Sequence, residues 1–276
     1  RVPDRAGLAA PPPILPLLAW RQDRPPYVLV VTDRTGADLT ASRGGDEPAR
    51  TWRVAGPDDE IERNAPGGWS QPRYQRRAED SWRHNAERVA EETIAALAEH
   101  GAQVLVLSGD VRALQLLAER LPDEPRVLVR HITGGRSADG SQAGRGVQVE
   151  EVLRDAAHAQ TVSLLEYFQT HLDPGAHAVD GSAATIDALA AGRVAALLVV
   201  PAEDESRTAW FGTGPTDVYR DDRSARASGK PVRAGNLVDV AVRAALLSGA
   251  HVRVIPPDAP GRPAEGLGAI CRFGTP

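Results

Sequence analysis

The stretch Gly67-Gly68-Trp69-Ser70-Gln71-Pro72-Arg73 joins a paired-glycine tip to the start of a long helix. Adjacent glycines reach backbone angles that other residues avoid. Ser70 is an N-cap residue type, and Pro72 falls in the first turn, where its missing N–H costs little. Behind them Tyr74, Ala78, Trp82, Val89, Thr93 and Leu97 recur at spacings of four or seven, and Ala90 and Ile94 widen the row. That is the apolar face of an amphipathic helix reaching to about Leu97, with Gly101 just past its end, where a C-terminal glycine is expected.

The first turns of this helix run against its dipole. Arg73, Arg76 and Arg77 crowd the positive end, where an exposed cation costs roughly 0.3–1 kcal/mol. Arg83 and His84 extend the basic face, and Glu79, Asp80 and Glu87 offset part of it at helical spacing. A solvated, salt-bridged face has this composition. So does a basic stalk carrying a glycine tip into an anionic environment such as RNA.

These residues carry a resemblance. The run Gly67 to Arg76, then Glu79, Arg83-His84-Asn85 and Val89-Ala90-Glu91, resembles the central domain of the eukaryotic and archaeal class I release factors and the Pelota-type rescue factors. The bacterial branch of that superfamily includes the Balon-type hibernation factors. In the release factors Gly-Gly-Gln-Ser is followed by an Arg-aromatic pair, a basic helix and a His-Asn. The resemblance covers about Tyr27 to Phe273.

One position departs from the pattern. The family's catalytic glutamine falls at Trp69, and an indole offers one N–H donor and no acceptor suited to orienting water. Gln71 lies two residues on, held to the helix start by Ser70 and Pro72, and is the weak catalytic candidate. The resemblance implies that Gly67, Gly68, Trp69, Ser70, Gln71, Arg73, Arg76, Arg77 and Arg83 contact the ribosome or tRNA. It implies no cofactor and no metal.

Composition bounds the rest. A formal net charge of -5 argues against indiscriminate nucleic-acid binding, so RNA contacts must come from local basic patches. Lys230 is the only lysine, and arginine suits bidentate phosphate contact. Hydrophobic residues make up 42%, enough for packed cores, and no apolar run reaches the roughly eighteen residues of a membrane span. Cys271, the only cysteine, sits in the apolar run Leu267 to Phe273 and reads as core; a cytoplasmic protein is expected. The chain contains no Met, and an N-terminal decoding-site domain is expected ahead of it.

The expected fold class is α/β, as two α/β domains. Residues 1–26, rich in proline, read as a linker and tail, with a short helix over Ile14 to Trp20. Residues 27–157 read as the central domain that bears the tip. Its strands are expected at Tyr27 to Thr32, Ala37 to Arg43, Thr51 to Val54, Gln103 to Leu107 and Arg126 to Ile132, with a helix from Asp110 to about Arg120. Gly134 to Gly146 reads as a surface loop; it lacks the Gly-Lys-Ser/Thr ending of a phosphate loop. A second long helix is expected over Val147 to His171, in which His158 and His171 lack metal-ligand spacing.

Residues 158–276 read as a C-terminal α/β/α domain of ribosomal-protein-like type. Its strands are expected at Ala195 to Val200, Thr208 to Phe211, His251 to Ile255 and Gly266 to Phe273, its helices at Ser182 to Ala191 and Asn236 to Leu247, and a polar, Arg-rich excursion at Gly212 to Ala234.

Three functions fit this reading. The first is a non-hydrolytic, A-site-binding translation factor, active in ribosome hibernation or stress response. Its partners would be rRNA, P-site tRNA and a translational GTPase, EF-Tu in a bacterium, with no membrane. The second is a peptidyl-tRNA hydrolase of termination or rescue, with Gln71 standing in for the lost glutamine. The third is an RNA-binding or RNA-processing protein acting off the ribosome.

Overall fold

The computed structural model describes residues 11–45, 47–55, 71–122, 127–136, 141–172, 177–202 and 206–274, as backbone alone over 71–80 and 141–143. Asp23–Ala157 form one compact unit; His158–Pro276 together with Arg1–Gln22 form the other. The stretch expected as a linker therefore contains helix α1 (Leu15–Gln22), which packs within the second unit against its strand 251–254.

The first unit is built on β1 (Tyr27–Asp33), β2 (Gly36–Ser42), β3 (Arg50–Ala55), β4 (Val104–Gly109) and β5 (Leu128–His131), in the order β3-β2-β1-β4-β5. β1, β2 and β3 form the expected antiparallel meander, and β4 and β5 add in parallel. Gly36, at φ +150, lets β2 approach β3, since a Cβ there would stand 2.1 Å from the Val54 carbonyl oxygen. Gly109 does the same at the end of β4, 1.8 Å from the oxygen of Thr32.

The continuous apolar run of β1 has a direct cause: both of its faces are covered. Val28 and Val30 pack with Val89 and Ala90 of α2 (Gln71–His100) and Leu117 of α3 (Val111–Ala118). Tyr27 and Leu29 pack with Val149, Leu153 and Ala156 of α4 (Ser141–Thr170). The stripe of α2 is narrower than expected. Ile94 is 39% exposed, and the small Ala86 and Ala96 are buried instead, which lets the helix lie close to the sheet.

A larger correction concerns α4, which begins at Ser141 rather than Val147, so half of the expected Gly134 to Gly146 loop is helix. Gly144 and Gly146 each disfavour a helix interior by about 1 kcal/mol relative to alanine. Tertiary anchors offset this. Gln148 Oε1 accepts from both the backbone N and the Oγ1 of Thr133, at 3.0 and 2.9 Å. Ser108 Oγ donates to the Gly134 carbonyl at 2.8 Å, and Arg145 Nη2 donates to that of Gly135.

The second unit contains β6 (Ala178–Asp180), α5 (Ser182–Ala190), β7 (Val194–Val199), β8 (Thr208–Phe211), β9 (Val218–Tyr219), α6 (Asp222–Ala227), β10 (Arg233–Asn236), α7 (Leu237–Leu247), β11 (His251–Val254) and β12 (Leu267–Cys271). Its main sheet runs β11-β7-β12-β6, with β11 parallel to β7 and the other pairs antiparallel. α5 and α7 cover one face; Leu165 and Phe168 from the second half of α4 cover the other, giving the α/β/α sandwich. Cys271 is buried in β12.

The polar, Arg-rich excursion Gly212 to Ala234 carries regular structure. It contributes β9, α6 and the start of β10 to a small sheet of order β10-β8-β9. Strands of two to four residues are too short to show a period. They are pinned by Asp217, whose carboxylate accepts from the Gly214 N–H at 2.9 Å and from Lys230 Nζ. The Lys230 hydrogen bond holds that carboxyl below its ordinary pKa. No helix among the described residues is long and apolar enough to cross a membrane.

Candidate nucleic-acid interface

The expected interface lies at the head of α2. Gly67, Gly68, Trp69 and Ser70 fall outside the described residues, and Gln71 is the first residue of the helix. Arg73, Arg76 and Arg77 occupy its first two turns. Arg76 and Arg77 stand seven residues, two turns, before Arg83 and His84, both exposed. The buried positions of α2, Asn85, Ala86, Val89, Ala90, Thr93 and Ala96, follow the opposite register. Arg83 and His84 thus lie on the exposed side of α2, away from those buried positions.

Trp82 and Asn85 of α2 meet a corner of charged groups at the β1–β2 turn. Asp33 Oδ1 accepts from the N–H groups of Thr35 and Gly36, at 2.7 and 3.1 Å, which shapes the turn. Arg34 then projects over Trp82, its guanidinium carbon 4.5 Å from the ring centre, and reaches Asp110 at 3.6 Å. Asp110 caps α3 by accepting from the N–H groups of Arg112 and Ala113. Asn85 Nδ2 donates to the Arg34 carbonyl at 2.9 Å.

Behind the turn Arg136 bridges two carboxylates, 2.9 Å from Asp33 and 3.2 Å from Asp38. Burial works to raise both carboxyl pKa values. Hydrogen bonds outweigh it, from Thr35 and Arg136 onto Asp33 and from Arg136 and Arg53 onto Asp38, and both lie below the ordinary carboxylate range.

α4 covers only the β1, β4 and β5 side of its sheet face. The remainder, over β2 and β3, is an open groove of about 970 Å³ lined by Tyr27, Asp38, Thr40, Thr51, Arg53 and Glu150. Its charges are of both signs.

Among the described residues no group of three or more His, Cys, Asp or Glu is placed to hold a metal ion. His158 is exposed, and His171 stacks on Tyr167 with ring centres 3.9 Å apart. Arg34, Asn85 and Arg136 were not singled out for position by periodicity. Arg34-Thr35-Gly36 has turn composition, but the residues that this turn meets are remote in sequence.

A family model described as bacterial archaeo-eukaryotic release factor family 2 matches residues 26–174, just over half of the chain. The chain belongs to that family. The match takes in strands β1 to β5 and runs through the end of α4.

This family 2 protein is similar to several known proteins. Two Mycobacterium tuberculosis proteins, Rv2629 of strain H37Rv and MT2704 of strain CDC 1551 / Oshkosh, are each 27% identical over 267 residues, 95% of this chain and 70% of theirs. Among solved structures, archaeal Pelota in a model of ribosome-bound Pelota and ABCE1 is 18% identical, with a TM-score of 0.52, over 90% of this chain and 62% of that one. Saccharomyces cerevisiae Dom34 is 11% identical, with a TM-score of 0.49, over 94% and 65%. The Pelota likeness shows the fold, and this chain spans under two thirds of the length of either structure.

Proposed function

We propose that this release factor family 2 protein is a ribosome-associated translation factor that occupies the A site without hydrolysing peptidyl-tRNA, in a hibernation or stress role. The observation that carries the proposal is Trp69, standing where the family's catalytic glutamine falls, at the head of a helix whose first turns are basic. Hydrolysis needs a group that orients water within roughly 2.6–3.2 Å of the ester. An indole is a donor only. It can stack on an exposed base or acceptor-end nucleotide, worth about 1–3 kcal/mol per base, which favours holding the peptidyl-transferase centre over cleaving there.

Three things support a ribosomal site: family membership, the sequence cluster of Arg73, Arg76, Arg77 and Arg83 in the first half of α2, and the fold shared with a Pelota described as ribosome-bound. The second unit is the candidate contact for a translational GTPase such as EF-Tu, and a ribosomal role places the protein in the cytoplasm.

The test is sedimentation with ribosomes from growing and from stationary cells, followed by release of labelled formyl-methionine from programmed ribosomes at saturating protein. Co-sedimentation without release is expected. Failure to sediment with either ribosome pool would favour an RNA-binding role off the ribosome. Clear release, abolished by Gln71→Ala, would assign hydrolysis to Gln71 and overturn the non-hydrolytic reading.

A further inference from the structure

β11 is an edge strand. Its inner side pairs with β7, and just beyond it Ile255 donates to the Val199 carbonyl at 2.7 Å. The outward groups of Val254 are taken by a side chain. Gln22 Nε2 donates to the Val254 carbonyl at 2.9 Å, and Gln22 Oε1 accepts from the Val254 N–H at 2.8 Å. A primary amide used this way reproduces the donor and acceptor that a neighbouring strand would supply. The edge is closed at this point without another strand.

The helix that carries Gln22 is weakly held. Ile14, Leu15 and Leu18 lie against the core of the second unit with Val252, yet no residue of α1 is fully buried and Leu17 is 56% exposed. α7, in the same unit, buries seven residues. A helix of eight residues does not persist alone in water. Elements with few buried apolar contacts open at a free energy well below that of global unfolding. Undocking α1, melting it and withdrawing the Gln22 amide are therefore one event.

We infer that Ile14–Gln22 is a releasable clasp on the β11 edge, opening locally while the sandwich behind it stays folded. Opening has two consequences. It bares the N–H and C=O of Val254 on a sheet edge. It also changes the tethering, because the chain passes between the two units after Gln22 and again after Ala157. With the clasp open, α4 alone joins ordered structure on both sides.

Amide hydrogen exchange on the full chain tests this, because two adjacent amides report different things. Val254 reports the clasp; Ile255 reports the sheet. Val254 is expected to exchange at least about ten-fold faster than Ile255, with little dependence on low urea, the mark of a local opening. Gln22→Ala and, separately, Leu18→Asp should each speed Val254 further and leave Ile255 unchanged. Val254 and Ile255 exchanging together in the wild type would overturn the inference. So would either variant that carries Ile255 along with Val254, or a Gln22→Ala protein whose Val254 rate has not moved.

Discussion

Asn85, in the middle of α2, donates its Nδ2 to the carbonyl of Arg34, fifty-one positions earlier, at 2.9 Å. The bond fastens the helix to the β1–β2 turn at the point where Arg34 lies over Trp82. Asn85 is 6% exposed, and its Oδ1 is buried with no partner. The His84-Asn85 pair, met first as part of a family pattern, thus has a structural reason on its asparagine side. Replacing Asn85 by Ala removes the donor and leaves a carbonyl short of one. Urea denaturation should show a loss of about 1–3 kcal/mol; a loss within about 0.3 kcal/mol would mean that the bond does not hold the turn.

The Arg136 bridge predicts a pH dependence. Asp33 and Asp38 have folded pKa values below their ordinary ones. Their stabilisation is therefore present above the unfolded carboxylate pKa, near 4, and is lost as pH falls through the lower folded values. Both carboxylates are partly solvated, so Arg136→Ala should cost only about 1–2 kcal/mol at pH 7. The difference between variant and wild type should shrink toward pH 3 in urea melts. A difference independent of pH would show that Arg136 acts by packing alone.

The arginines clustered in the first turns of α2 predict a salt effect. Replacing Arg73, Arg76 and Arg77 together by Ala should weaken ribosome binding and lower the slope of log affinity against log salt by up to about three. The melting temperature should hold or rise, since these cations oppose the helix dipole. An unchanged slope with lost stability would make them structural.

Trp69 predicts a gain and a loss. Trp69→Ala should weaken ribosome binding by up to about a hundred-fold, the stacking contribution of one to three kcal/mol per base. Trp69→Gln restores a side chain that both donates and accepts, and is expected to give measurable formyl-methionine release where the wild type gives none. Equal ribosome affinity of wild type and Trp69→Ala would remove stacking from the account.

The sequence by itself determined the elements with a strong local signal. The stripe from Val89 to Leu97, the apolar runs of β1, β4 and β7, and the cap at Asp110 each follow from periodicity or chemistry within a dozen residues, and the residues around the glycine tip carried the family. Only the tertiary structure decided the rest. Ser141 starts α4 because Thr133 and Gly135 are there to anchor Gln148 and Arg145. β9 and β10 are strands because β8 lies between them, and neither is long enough to announce itself. Arg136 meets Asp33 across 103 positions, and Gln22 meets Val254 across 232. A local pattern records which face of an element is apolar. It cannot record which distant surface that face will meet, because the meeting depends on the packing of every element between them.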